Sequence, residues 1–125
     1  EKLFLNDNNL IILYSKDKKL IGYIGGGLIK NFRVDCNVPK SKSNTTCYVS
    51  TINITPIYEY HGYSKLLLDS FINKARLNNY KHVSGYFKRE FINVLNTYKS
   101  TVLFVDKNYL NSDKTYYYVE IKVWG

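Results

Sequence analysis

Methionine is absent from these 125 residues, proline and cysteine occur twice each, and tryptophan occurs once. The chain opens on Glu1, which reads as a lost initiator or a piece of a longer chain. Two cysteines, Cys36 and Cys47, are too few for a disulfide scaffold. They flank a polar loop, so a bridge across a hairpin is open geometrically, but two independent reduced thiols are the simpler expectation. The two histidines, His61 and His82, are far apart, and no Cys/His cluster has metal-ligand spacing, so no metal site is expected. No apolar run approaches the roughly 20 residues that span a bilayer. The longest, Leu10-Ile11-Ile12-Leu13-Tyr14, has the size of a strand. No secretory apolar segment stands near the start, and neither repeat, low-complexity tract nor linker is visible. These absences lead to the expectation of a cytoplasmic protein without a membrane span.

What is present suits one folded unit. Hydrophobic residues make up 45% of the chain, enough for an ordinary core, and the length suits a single domain over residues 1–125, whether complete or part of a longer chain. Lys and Arg number 18 against 10 Asp and Glu, a formal charge of +8. Such a balance attracts phosphates of any kind, in nucleic acid, lipid or cofactor, without choosing among them. In the first half, Lys16, Lys18, Lys19, Lys30, Arg33, Lys40 and Lys42 lie near Tyr14, Tyr23 and Phe32, an interleaving that a nucleic-acid surface would use. Charges in hairpin turns are more simply solvated, so nucleic acid is the lesser expectation. Asn44-Thr45-Thr46 and Asn53-Ile54-Thr55 match the glycosylation pattern, which is read as chance without a secretory signal.

The first half reads as strands. Residues 9–14 and 20–24 are apolar runs around the polar turn 15–19, a hairpin signal. Gly25-Gly26-Gly27 interrupts the pattern and suggests a bulge, a bend or a close backbone approach. Residues 28–34 continue as an extended segment, and 35–46 form a loop around Pro39. Residues 47–54 alternate, with Cys47, Val49, Thr51 and Asn53 on one face and Tyr48, Ser50, Ile52 and Ile54 on the other. Pro56 ends this strand. Over 65–80 the period becomes helical, with Leu67, Leu68, Phe71, Ile72 and Ala75 in one stripe and Asn78-Asn79 as the stop. A short strand over 82–87, a helix over 88–98, a strand at 102–105, a turn at 111–114 and an alternating strand over 115–124 follow. The order β-β-β-α-β-α-β-β predicts a mixed, mostly antiparallel α/β (α+β) sheet with two main helices.

The stretch from Ile52 to Leu68 carries the chemistry. A strand ends at Pro56, a loop with one glycine follows, and an amphipathic helix begins. Helix N-termini present unpaired N–H groups with partial positive charge, and glycine lets backbone approach a ligand, so the arrangement suits a phosphate cradle. Ser64 and Lys65 add a hydroxyl and a cation at the helix start.

The same stretch resembles the cofactor-binding segment of the GNAT superfamily of N-acetyltransferases. In that family a strand ending in Val-x-Pro leads into a Gln/Arg-x-x-Gly-x-Gly/Ala loop and a leucine-rich helix. Ile54-Thr55-Pro56 matches the strand end, Gly62 the first loop glycine, Ser64 the small last position and Lys65-Leu66-Leu67-Leu68 the helix start. Asn73-Lys74-Ala75-Arg76 and Tyr80-Lys81-His82-Val83 resemble the exit into the next strand, Tyr98 the tyrosine ending the following helix, and Tyr116-Tyr117 the last strands. The resemblance implies an acyl-CoA N-acyltransferase-like fold and a divergent or truncated family member. It implies acetyl-CoA as cofactor and transfer of an acetyl group to an amine, the acceptor and oligomeric state being unspecified. Ile52, Asn53 and Ile54 would hold the pantetheine arm, and Glu59, Tyr60, His61, Gly62, Tyr63, Ser64 and Lys65 would surround the pyrophosphate. Tyr98 would be the general acid that protonates the departing thiolate, a role suited to a neutral phenol.

Four departures imply an alternative, a non-catalytic domain of this fold serving as a binding or structural module in a larger assembly. Glu59 stands at the usual Gln/Arg position and Phe91 at the usual Asn. Lys99-Ser100-Thr101-Val102 replaces the usual Gly-Phe. The opening strand and the two helices of the acceptor side are not read in this sequence. No general base stands out: Asp69 and Glu90 read as solvated, and His61 lies on the phosphate side.

Overall fold

The computed structural model describes residues 2–6, 10–32 and 44–124. Seven strands run through them: β1 (Lys2–Asn6), β2 (Leu10–Tyr14), β3 (Leu20–Leu28), β4 (Thr46–Ile54), β5 (His82–Lys88), β6 (Ser100–Asp106) and β7 (Tyr116–Lys122). They form one sheet in the order β1-β2-β3-β4-β5-β7-β6. Every neighbouring pair is antiparallel except β4 and β5, which are parallel. A parallel pair needs a crossover, and helix α1 (Tyr63–Leu77) provides it. A second, short helix, α2 (Ile92–Leu95), continues a 3₁₀ turn over Arg89–Phe91. This is the mixed, mostly antiparallel arrangement that the element order predicts.

The α1 stripe decides which face of the sheet is covered. Leu67, Leu68, Phe71, Ile72 and Ala75 are buried against Ile11, Leu13 and Ile24 of β2 and β3, Cys47 and Val49 of β4, Val83 and Phe87 of β5, and Val119 and Ile121 of β7. Each such large side chain removed from water is worth about 1.5–3 kcal/mol. A second cluster gathers Ile29, Tyr48, Tyr86 and Tyr118, with Phe32, Tyr109 and Tyr116 packed on it. Tyr48 alternates with Cys47 and Val49 along β4, so this aromatic layer occupies the other face. The Tyr118 hydroxyl donates to Ser84 Oγ at 2.9 Å beneath it.

Several expectations are corrected. The opening strand is present as β1, paired antiparallel with β2. Three residues separate β1 from β2, fewer than one helical turn, so no helical pair joins these two strands. The triple glycine lies within β3 and carries both the bulge and the close backbone approach that it suggests; after Leu28 a 3₁₀ turn over Ile29–Asn31 replaces the expected extended segment. The register with β4 shifts between Gly25 and Gly26: Gly25 faces Thr51 and Gly26 faces Val49, so Ser50 is the extra residue of a bulge. A Cβ on Gly26 would lie 1.8 Å from the Tyr48 carbonyl oxygen, an approach that only glycine permits.

The bulge also corrects the faces of β4. One extra residue reverses the alternation beyond it. Ile52 and Ile54 therefore pack on the same core as Cys47 and Val49, while Thr51 and Asn53 are exposed. Helix α1 starts two residues earlier than expected and ends at Leu77, with Asn79 taking the left-handed conformation that stops it. The expected helix over 88–98 is much shorter. After Asn96, whose N–H donates to Ile92 O, the turn tightens: the Thr97 and Tyr98 N–H groups donate to the Val94 and Leu95 carbonyls three residues back, and the Thr97 hydroxyl also donates to Val94 O. Cys36, Arg33, Lys40 and Lys42 lie outside the described residues, as does the state of any Cys36 bridge. Cys47 is a buried free thiol.

Candidate functional site

The β4/β5 ladder is short. Thr46–Val49 pairs with His82–Gly85, and the pairing stops at the residue before the bulge. From Ser50 onward β4 stays with β3 and leaves β5, so the carboxyl ends of the two parallel strands splay apart. Ser50 Oγ donates to Gly25 O at 3.3 Å on the β3 side, away from the opening. A 3₁₀ turn over Pro56–Tyr58 then carries the chain across the end of the splay into α1. The result is a cleft of about 340 Å³. Ile52, Asn53 and Ile54 form one wall, Tyr58, Glu59, Tyr60, Gly62, Tyr63 and Ser64 the end, and Lys88, Glu90, Phe91 and Val94 the other wall.

Gly62 sits at the cap of α1 with φ 82° and ψ 6°. That left-handed conformation suits glycine, and a Cβ there would meet nothing within 4 Å, so open space lies before the helix start. No side chain caps α1, and no acidic residue lies in its first turn. The Leu66 N–H reaches Gly62 O at 3.3 Å, leaving the earlier N–H groups of the turn without a side-chain partner. Their positive dipole end faces the cleft. Tyr63 is braced edge-to-face by Tyr58 at 6.1 Å and lies 6.3 Å from the His61 ring. The edge of β4 from Ser50 to Ile54 that faces β5 has no strand partner among the described residues. The first-turn amides, the open Gly62 and this unpaired edge fit a long, phosphate-bearing ligand. Glu59 does not: its carboxylate lies in the same cleft.

Eight of the expected site residues come together here: Ile52, Asn53, Ile54, Glu59, Tyr60, Gly62, Tyr63 and Ser64. His61 and Lys65 do not line the cleft. Lys65 turns along the helix to Asp69 Oδ1 at 2.7 Å and to the Tyr98 ring and hydroxyl at 4.6 and 3.4 Å. Tyr98 itself lies apart from the cleft, beside Asp69, Arg76, Lys99, Lys122 and Trp124. Its hydroxyl donates to Asp69 Oδ1 at 2.5 Å. Burial, then the Asp69 carboxylate that accepts its proton, push the phenol well above its usual range. Its placement does not support the expected role of proton donor.

Tyr58, Lys88, Glu90, Phe91 and Val94 line the cleft without having been singled out as site residues. The signal was the β4-helix-β5 crossover. In a parallel pair ligands lie beyond the carboxyl ends of the strands, which are Ile54 and Lys88 here. Among the described residues no three His, Cys, Asp or Glu side chains gather to hold a metal, and no helix is long and apolar enough to cross a membrane.

No protein-family model and no curated protein matches the sequence. Solved structures do match by shape. The chain superposes on nourseothricin acetyltransferase with a TM-score of 0.68 at 16% identity, over 98% of this chain and 71% of that one. It superposes on yncA, a putative acetyltransferase from Salmonella typhimurium solved with acetyl-CoA, with a TM-score of 0.71 at 12% identity, over 93% and 65%. A GNAT-like decarboxylase, GphF in complex with isobutyryl-CoA, gives 0.68 at 11%, over 93% and 78%. At these identities the likeness is one of fold, and it recurs in all three. The chain has the GNAT fold of the acyl-CoA N-acetyltransferases.

Proposed function

We propose that this protein is an acetyl-CoA-dependent N-acetyltransferase acting on an amine. One observation carries the reading: β4 and β5 part at the Ser50 bulge, and the cleft so opened is closed by a helix N-terminus whose first amides have no side-chain cap. Acetyl-CoA supplies an activated thioester. The first-turn amides of α1 and the open backbone at Gly62 would hold its pyrophosphate. The unpaired edge of Ile52–Ile54 would bind its amide-bearing arm by strand-like hydrogen bonds and aim it between the strands. Lys88 and Glu90, at the far wall, would be the charged groups that meet the acceptor. The neighbour solved with acetyl-CoA supports the choice of cofactor.

A second reading is favoured by two specific observations. Glu59 places a like charge in the cleft, and no helical pair joins β1 to β2. Both suit a module that binds without transferring, and the GNAT-like decarboxylase shows that this fold hosts other acyl-CoA chemistry. Calorimetric titration with acetyl-CoA, followed by thiol-release assays over a panel of amines, tests both. Binding with thiol release supports transfer; binding without release supports the module; no binding at millimolar ligand removes both.

A further inference from the structure

A second polar surface lies at the opposite end of α1, roughly 20 Å along the helix from the cleft. It is built on the two residues after β7. The Val123 N–H donates to Lys81 O at 3.0 Å, and the Lys122 N–H donates to Lys99 O at 2.9 Å. The Arg76 guanidinium donates through Nε and Nη2 to Val123 O at 3.2 and 3.1 Å. These bonds bring together four cations from four separate stretches of the chain: Arg76 of α1, Lys81 just before β5, Lys99 just before β6 and Lys122 at the end of β7. They also fix Trp124 outward, half exposed, with the Arg76 guanidinium 5.7 Å from its ring centre.

Two shallow concavities, of about 550 and 510 Å³, lie on either side and share Lys122 and Trp124. The first adds Asn79, Lys81 and His82; the second adds Arg76 and Lys99. Lys81, Lys99 and Lys122 are exposed. The second concavity also holds Asp69, whose carboxylate is paired with Lys65 and Tyr98, and Glu120 stands beside His82 of the first at 3.9 Å, so the cations outnumber the acids on this surface. An exposed indole flanked by cations on two sides is complementary to a base flanked by phosphates, since every base offers a face for stacking and every nucleotide a negative charge.

We propose that this surface binds single-stranded nucleic acid, with a base stacked on Trp124 and the adjoining phosphates met by Lys81 and Lys122 on one side and Arg76 and Lys99 on the other. A duplex keeps its base faces covered and would not use the indole.

Trp124 is the chain's only tryptophan, so its emission reports on this surface. The probe is oligo-dT of about ten nucleotides, within the usual single-strand site size. Titration should quench the emission, and the affinity should fall with salt. Lys81→Ala and Lys122→Ala should each lower the salt slope by about 0.7. Trp124→Leu should weaken binding about 10-fold and Trp124→Phe less, with folding checked by circular dichroism. The proposal is overturned by no binding at low salt, by binding indifferent to Trp124→Leu, or by an equal loss from Lys16→Ala with Lys18→Ala. Equal or tighter binding of a duplex or of anionic vesicles also overturns it.

Discussion

The Tyr98 hydroxyl donates to Asp69 Oδ1 at 2.5 Å and so ties the segment after α2 to the flank of α1. Lys65 joins the same carboxylate from one helical turn away. The phenol's proton is thus committed outside the cleft. Tyr98→Phe should keep the ring packed and cost about 1–2 kcal/mol in denaturant unfolding. Acetyl transfer should stay within about twofold of the parent, whereas a proton donor would lose roughly 10²–10⁴-fold. A loss of that size, with stability intact, would return Tyr98 to the catalytic role.

Gly62 is the second test. Valine at φ 82° is strained, at a cost of about 1–2 kcal/mol, and its side chain would enter the space before the α1 amides. Gly62→Val should weaken acetyl-CoA binding at least about 10-fold while the protein still melts cooperatively. Normal affinity in calorimetry would move the anion site away from α1.

Glu59 lies where a pyrophosphate would be held. Glu59→Gln keeps the shape and removes the charge, so CoA should bind about 3–10-fold tighter at low salt, the gain shrinking as salt screens the pair. Unchanged affinity at every ionic strength would mean that the carboxylate does not face the phosphates.

Cys47 sets an alkaline limit. Burial pushes its thiol from 9.0 up to about 12. Below about pH 9 both folded and unfolded chains hold the proton, so the contribution to stability is complete. Between about pH 9 and 12 the unfolded chain ionises and the folded one does not, so stability falls as pH rises. Denaturant midpoints followed upward from about pH 8 should show this decline, and Cys47→Ala should remove the part that begins near pH 9. Tyr48, Tyr80 and Tyr98, also pushed up first by burial, should leave a further decline above about pH 10. A variant curve that matches the parent would show that the thiol does not carry the effect.

Much of this was legible in the chain. The α1 stripe, the strands at 10–14, 20–24 and 82–87, the loop glycine at 62 and the stop at Asn78-Asn79 follow from local periodicity and turn chemistry, which depend on residues a few positions apart. Eight cleft residues were within reach because the strand-loop-helix that holds them is continuous in sequence. What the sequence alone determined is therefore the set of elements and the nature of the loop. The tertiary structure decided the rest. The triple glycine pointed to a bulge or a close approach, but that the extra residue is Ser50 of β4 follows from the Gly26 backbone meeting Tyr48 on the neighbouring strand, which no local pattern contains. The far wall of the cleft, the turning of Tyr98 toward Asp69 and the meeting of Arg76, Lys81, Lys99 and Lys122 around Trp124 arise in the same way. Each requires groups distant in sequence to come within a few ångströms, and only the paired sheet and its crossover helix fix those distances.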